Sequence, residues 1–264
     1  MNAVSSWSLH RTLGSFVGPD TLRSTRIPTG GPAGLDLLDL PAELAGRGFD
    51  TLQLCHFHLP STDAGYLDDL RGALADASVR LDALLIDDGD LTSNGDQAEQ
   101  EAWVSDWIGV AEQLGADRAR VIAGRTAPTP ETIRTAAAAL RRLAERHSVR
   151  IVTENWHELL VDAASVTALF ARTGDEVGLL IDLGNWTGTD KYDELAAVAV
   201  YAETCHAKCH GDPPELDEAD YQRSLQVLRD ADYSGPLALV YDGADADEWR
   251  WLGRERSIVD RVFG

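Results

Sequence analysis

Short apolar runs and longer amphipathic stretches alternate along this chain from end to end. Strand-like runs fall at 3–9, 51–59, 80–87, 118–123, 149–155, 177–183, 204–209 and 236–241. They are too short for helices and too continuously apolar for strands with one wet face, so they read as strands buried on both sides. Between them, stretches with a helical period cover 37–47, 64–77, 96–114, 130–147, 162–172, 192–201, 217–231 and 247–262. Thr129-Pro130-Glu131-Thr132 offers a Thr N-cap, a Pro at the first helical position and acid in the first turn. Gly115 and Gly174 stand where helices should stop.

Eight strands alternating with eight helices predict an α/β protein with a parallel sheet, organised as one (β/α)8 TIM barrel over residues 1–264. A doubly wound open sheet is the competing architecture. It would place its site at one switch point, after an early Gly-rich turn. Neither GxGxxG nor GxxxxGK[ST] occurs, and the candidate polar residues end strands spread over the chain, as barrel sites do. Residues 10–36 break the regularity with five glycines and three prolines. In a barrel this long loop would lie over the active-site face as a lid or substrate-contacting segment, or as a passive excursion.

Charge narrows the partners. With 23 Lys and Arg against 44 Asp and Glu, the formal net charge is −21. No basic run interrupts it, which argues against nucleic acid and anionic membrane surfaces. Three cysteines, Cys55, Cys205 and Cys209, form no disulfide framework. Cys205 and Cys209 would point away from the strand face bearing His206, so a zinc pair is disfavoured. With no apolar run near 18 residues and no leader-like start, the expectation is a cytoplasmic protein acting on a small molecule.

Four segments carry the chemistry: Val152–His157, Leu180–Trp186, Cys205–His210 and Leu239–Gly243. Each is an apolar run that leads into residues able to bind a metal. Glu154, Asp182, His206 and Asp242 are spaced by 28, 24 and 36 residues, about one strand-plus-helix unit each. A single carboxylate at a strand end commonly caps a helix or faces water. Four on consecutive strands of a barrel would meet at one end, where buried charge needs a cation. Three carboxylates and an imidazole suit one divalent ion: Mn²⁺ first, with Mg²⁺, Co²⁺ or Zn²⁺ also compatible.

Strand parity supplies further candidates. Trp156 and Trp186 would face inward and could cover the apolar side of a sugar ring. Lys208, two residues past His206, would face the site. His56 and His58 end the second strand, and His10 ends the first. Each of the three could contact substrate or simply bond to backbone. His157 falls off the inward face.

In Thr153-Glu154-Asn155, Ile181-Asp182-Leu183-Gly184-Asn185, His206-Ala207-Lys208 and Tyr241-Asp242, the chain resembles the xylose-isomerase-like TIM barrels, the superfamily of sugar phosphate isomerases and epimerases. The resemblance implies one metal ion bound by Glu154, Asp182, His206 and Asp242. It also implies proton transfer beside a metal-bound carbonyl, with Glu154 and Asp242 as the catalytic pair on opposite faces of the carbon. A homo-oligomer is a family expectation. The chain departs from the pattern in three places. Asp242 replaces a Glu, Asn185 stands where a His is usual, and no Arg follows His206 before Arg223. Asn185 would then position a hydroxyl, and Lys208 would bind substrate.

The implied activity is a sugar or polyol isomerase or epimerase. The departures keep a metal-dependent dehydratase or lyase on a keto-sugar or keto-inositol as the alternative. An abasic-site endonuclease shares the fold but needs more histidines than seven and a basic surface. A non-catalytic accessory barrel would be expected to have lost the ligands, and all four positions hold metal-competent residues.

Overall fold

The computed structural model describes residues 3–16, 27–28, 34–93, 95–211 and 216–264. Eight parallel strands close into a barrel: β1 (Ala3–Ser5), β2 (Thr51–Cys55), β3 (Arg80–Leu85), β4 (Arg118–Val121), β5 (Arg150–Glu154), β6 (Gly178–Asp182), β7 (Ala202–Lys208) and β8 (Leu237–Val240). Neighbours in sequence are neighbours in the sheet. The three residues of β1 complete the circle, pairing with β2 on one side and β8 on the other. The eight main helices are α1 (Leu40–Gly46), α2 (Ala64–Asp76), α3 (Gln97–Leu114), α4 (Pro130–Arg146), α5 (Ala163–Thr173), α6 (Lys191–Val198), α7 (Glu218–Asp230) and α8 (Glu248–Phe263).

Local chemistry explains the boundaries. Thr129 caps α4 by accepting from the Thr132 N–H at 3.1 Å, and the Thr132 hydroxyl accepts in return from the Thr129 N–H at 2.8 Å. This reciprocal cap stabilises the first turn by about 1 kcal/mol. α3 ends on Gly115 at φ 71, a left-handed conformation that costs a side-chain-bearing residue more. Outward-facing strand residues and the helices share a leucine-rich core that includes Leu140, Leu143, Leu169 and Leu225, each fully buried. Every such side chain contributes roughly 1.5–3 kcal/mol by leaving water.

Inside the barrel a small apolar cluster of Cys55, Ala83, Leu85, Val152 and Leu180 fills the middle. Below it lies a polar floor. Asp82 accepts from Gln53 at 2.9 Å, from Thr204 at 2.7 Å and from Arg118 at 2.6 Å, which ties together strands from opposite sides. The filled lower half leaves the C-terminal ends of the strands for function.

The first two strands are shorter than expected. β1 stops at Ser5, whose hydroxyl accepts from the Trp7 N–H at 3.3 Å and starts a 3₁₀ turn over Ser6–Leu9. β2 stops at Cys55 and turns through His56–His58. Strand alternation therefore ends before His10, His56 and His58. The expected loop at 10–36 falls largely on residues outside the described ones. Within them, Ser15–Phe16 pairs antiparallel with Ile27–Pro28. Among the described residues no helix is long and apolar enough to cross a membrane.

Candidate metal centre

Glu154 and Asp182 are the last residues of β5 and β6, and His206 pairs with Asp182 in register on β7. Register and parity thus bring three side chains to one spot. One ligand atom from each lies within 4.8 Å of the other two, and all three residues are buried. His206 Nδ1 stands 3.6 Å from Glu154 Oε1 and 3.4 Å from Asp182 Oδ2.

The surroundings fix these groups. The Asn155 amide clamps the backbone of Asp182, donating to its carbonyl at 3.0 Å and accepting from its N–H at 2.7 Å. Asp182 Oδ1 accepts from the N–H groups of Gly184 at 2.6 Å and Asn185 at 3.0 Å. The Asn185 side chain donates to Glu154 Oε1 at 2.7 Å. Asn185 therefore orients the Glu154 carboxylate as well as facing the cavity.

Charge in this cluster is strongly coupled. Burial alone would raise the pKa of Asp182, but the hydrogen bond to His206 and the nearby Lys208 charge outweigh it and hold the carboxylate ionised. Burial alone would lower the His206 pKa. The Glu154 charge and hydrogen bonding to both carboxylates reverse this and raise it to about 9. Two buried carboxylates thus draw a cation to this point, and a proton on His206 meets that demand. His206 Nε2 and Glu154 Oε2 are buried without a hydrogen-bond partner among the described residues. Two carboxylates and an imidazole at this spacing fit a divalent ion, which would displace the proton.

A cavity opens above the cluster. Glu154, Asp182, His206, Lys208 and Trp156 line it on the face that strand parity gave them, Asn185 lines it as the resemblance implied, and Trp7, Asp87 and Arg120 join them. Lys208 Nζ pairs with Asp242 Oδ2 at 2.8 Å. The Lys208 pKa is raised, because Asp182 and Asp242 overcome the burial that would lower it. Asp242 lies two residues past the end of β8 with its side chain 32% exposed, and it stands outside the group of three.

Other candidates sit away from the cavity lining. His56 is fully buried against Trp103 and Trp107, and its Nδ1 accepts from the Asp87 N–H at 3.1 Å. His58 contacts Ser6 Oγ at 2.9 Å and His10 at 3.3 Å, while His10 packs edge-on to Trp7. The 3₁₀ turns that end β1 and β2 rotate these side chains off the inward face. Trp186 donates its indole N–H to the Leu160 carbonyl at 3.1 Å and packs in the outer core, because the chain has left β6 by then. The three cysteines are buried and free.

Sequence reasoning missed Arg120 and Asp87. Arg120 is 2% exposed, in the middle of a strand read only for its apolar neighbours. A long cation inside an all-parallel strand is rare enough to be a signal of its own.

A family model described as "Xylose isomerase-like TIM barrel" matches residues 41–255, most of the chain. The chain belongs to the xylose isomerase-like TIM barrel family. No curated protein matches it. Solved structures with this fold include a probable 3-DHS dehydratase from Bacillus anthracis, 13% identical, with 99% of this chain and 100% of that chain covered at a TM-score of 0.72. Another is the apo form of 3-keto-D-glucoside 4-epimerase from E. coli, 12% identical, covering 89% and 97% at 0.68. A xylose isomerase-like TIM barrel protein from Mycobacterium smegmatis, in complex with magnesium, is 14% identical and covers 99% and 97% at 0.66. At these identities the likeness is one of fold.

Proposed function

We propose that this family member is a divalent-metal-dependent enzyme, an isomerase or epimerase of a sugar-like polyol that removes the proton beside a carbonyl. The observation that carries the reading is the buried convergence of Glu154, Asp182 and His206 at the mouth of the barrel. These three would hold the ion, Mn²⁺ being our first choice. Its contribution when bound is Lewis acidity, which polarises a carbonyl and acidifies the neighbouring C–H bond.

The chain supplies the proton handling. Glu154 is held through Oε1 by Asn185, and its Oε2, 3.1 Å from Arg120 Nε, completes no hydrogen bond among the described residues and would be the oxygen that takes a proton from a substrate carbon. Acidification of that C–H lets a weak base suffice. Lys208 lines the same cavity, and its ion pair with Asp242 would serve as a second proton-handling pair. We assign Asp242 to that pair rather than to a fourth ligand position, since its carboxylate is engaged by the ammonium. Trp7 and Trp156 give apolar walls for a ring face and limit water. The epimerase and magnesium-bound relatives support this reading through their shared fold.

One feature favours a dehydratase as the second reading. Glu154 faces a Lys–Asp pair instead of a matched carboxylate, and an ammonium can protonate a departing hydroxyl. Incubation with Mn²⁺ and a panel of ketoses in D₂O separates the outcomes. Epimerisation places deuterium on one carbon with every oxygen retained, whereas dehydration loses one oxygen. Absence of both deuterium incorporation and elimination across the panel would overturn the proposal.

A further inference from the structure

Arg120 is a buried cation placed between two buried carboxylates, and neither the metal ligands nor the proton-handling pair includes it. It rises from β4, next to the strand that carries Glu154. Its Nη1 donates to the Ile86 carbonyl at 3.2 Å, and its Nη2 donates to Asp87 Oδ1. Its Nε lies 3.1 Å from Glu154 Oε2, and its guanidinium carbon sits 5.3 Å from the centre of the Trp156 ring. Each of its three nitrogens thus faces an oxygen. Asp87 anchors the far side: burial would raise its pKa, but the Arg120 charge and His56 hold its carboxyl well below the usual range.

The geometry points to Arg120 as a positioning residue that, braced by Asp87, holds Glu154 in the orientation that binds the metal. This inference rests on the metal-dependent reading above. A Glu side chain carries three rotatable bonds, and buried in a cavity it can turn its carboxylate away from its neighbours. Asn185 restrains Oε1 and Arg120 restrains Oε2, so the carboxylate plane is fixed at both ends. The contact at Oε2 is one of charge, since neither facing atom completes a hydrogen bond among the described residues. The oxygen therefore keeps its lone pairs while its place is held. Partners that orient metal ligands in this way are typically worth about 10–100-fold in metal affinity.

Position and charge make opposite predictions. Removing a cation from beside a dication site should tighten metal binding if only charge matters. Removing a brace should weaken it. Lys208 supplies the comparison, because it brings an equal charge to the same cavity but pairs with Asp242. The test measures Mn²⁺ affinity by titration calorimetry and the Mn²⁺ EPR line shape. The proteins are wild type, Arg120→Met, Arg120→Lys, Asp87→Asn and Lys208→Met, with thermal melts for each.

The expected result is about 10–100-fold weaker binding in both Arg120 variants, with a broadened EPR signal. Asp87→Asn should lose less, and Lys208→Met should bind at least as tightly as wild type. Arg120→Lys keeps the charge but cannot span both carboxylates, so it should fold and still bind weakly. If Arg120→Met fails to fold, Arg120→Lys and Asp87→Asn decide the matter. Binding by Arg120→Lys within twofold of wild type, or tighter binding by Arg120→Met, overturns the inference. A wild-type protein that takes up no divalent ion overturns the metal-dependent reading itself, and this inference with it.

Discussion

Raising the pH from 7 to 9 should tighten divalent-ion binding at Glu154, Asp182 and His206 by about 100-fold. The perturbation acts on His206 alone. Its imidazole must be neutral to bind a metal, and the two carboxylates hold a proton on it up to pH about 9. At pH 7 the ion must displace that proton across roughly two pH units, which costs about 2.7 kcal/mol at 1.36 kcal/mol per unit. Affinity should therefore rise about tenfold per pH unit and level off above pH 9. Calorimetry at pH 7.5 under argon, in buffers of different ionisation enthalpy, should report close to one proton released per ion. The metal-free protein follows the same linkage. The folded His206 pKa lies above its ordinary 6.5, so this group's stabilisation is fully present below pH 6.5 and is lost as pH rises through 9. Added metal should abolish that loss. A dissociation constant that stays flat between pH 7 and 9, with no proton released, would refute the reasoning.

Glu154→Gln should stop exchange of the substrate C–H with D₂O, lowering the rate by at least about 100-fold, while the melting temperature holds; near wild-type exchange would move the base elsewhere. Glu255 is fully buried with both carboxylate oxygens unpartnered among the described residues, and burial followed by repulsion from Asp242 raises its pKa. The folded state therefore binds the extra proton, and wild-type stability should fall as pH rises above the unfolded carboxyl value. Glu255→Gln should flatten that slope in urea melts at pH 5 and 8; parallel profiles would contradict it. A Cβ at Gly184 would lie 2.8 Å from Lys208 Cδ and 2.9 Å from His210 Nε2. Gly184→Ala should displace the Lys208 stem from Asp242 and raise KM more than it lowers kcat, and an unchanged KM would count against substrate binding by Lys208.

Legibility tracked how regular the backbone is at each point. Alternation located Glu154, Asp182 and His206 on a common inward face because β5, β6 and β7 run without interruption through those residues. The same rule placed Trp186 inward and counted His56 and His58 as strand-end residues, where the chain has already turned into a 3₁₀ segment or a loop and the period of two no longer applies. Asp242 follows the end of β8, so its direction depends on the ion pair with Lys208, a contact between elements that spacing does not encode. Arg120 was open to detection, since it lies mid-strand, but a pattern search for apolar runs passes over the residue that breaks the run. The alternation of strands and helices was plain because each unit repeats the same switch in period.

The closure of the barrel rests on its shortest strand. β1 has three residues, and its partners are 51–53 on one side and 238–239 on the other. The last seam of the cylinder thus joins its first strand to its last, a contact of high sequence separation that forms only after most loop entropy has been lost. Until it does, β1 and β8 each expose an unpaired edge able to recruit another molecule's strand. Folding yield should then depend on concentration, and cutting away five N-terminal residues should convert a self-contained cylinder into a curled open sheet prone to association.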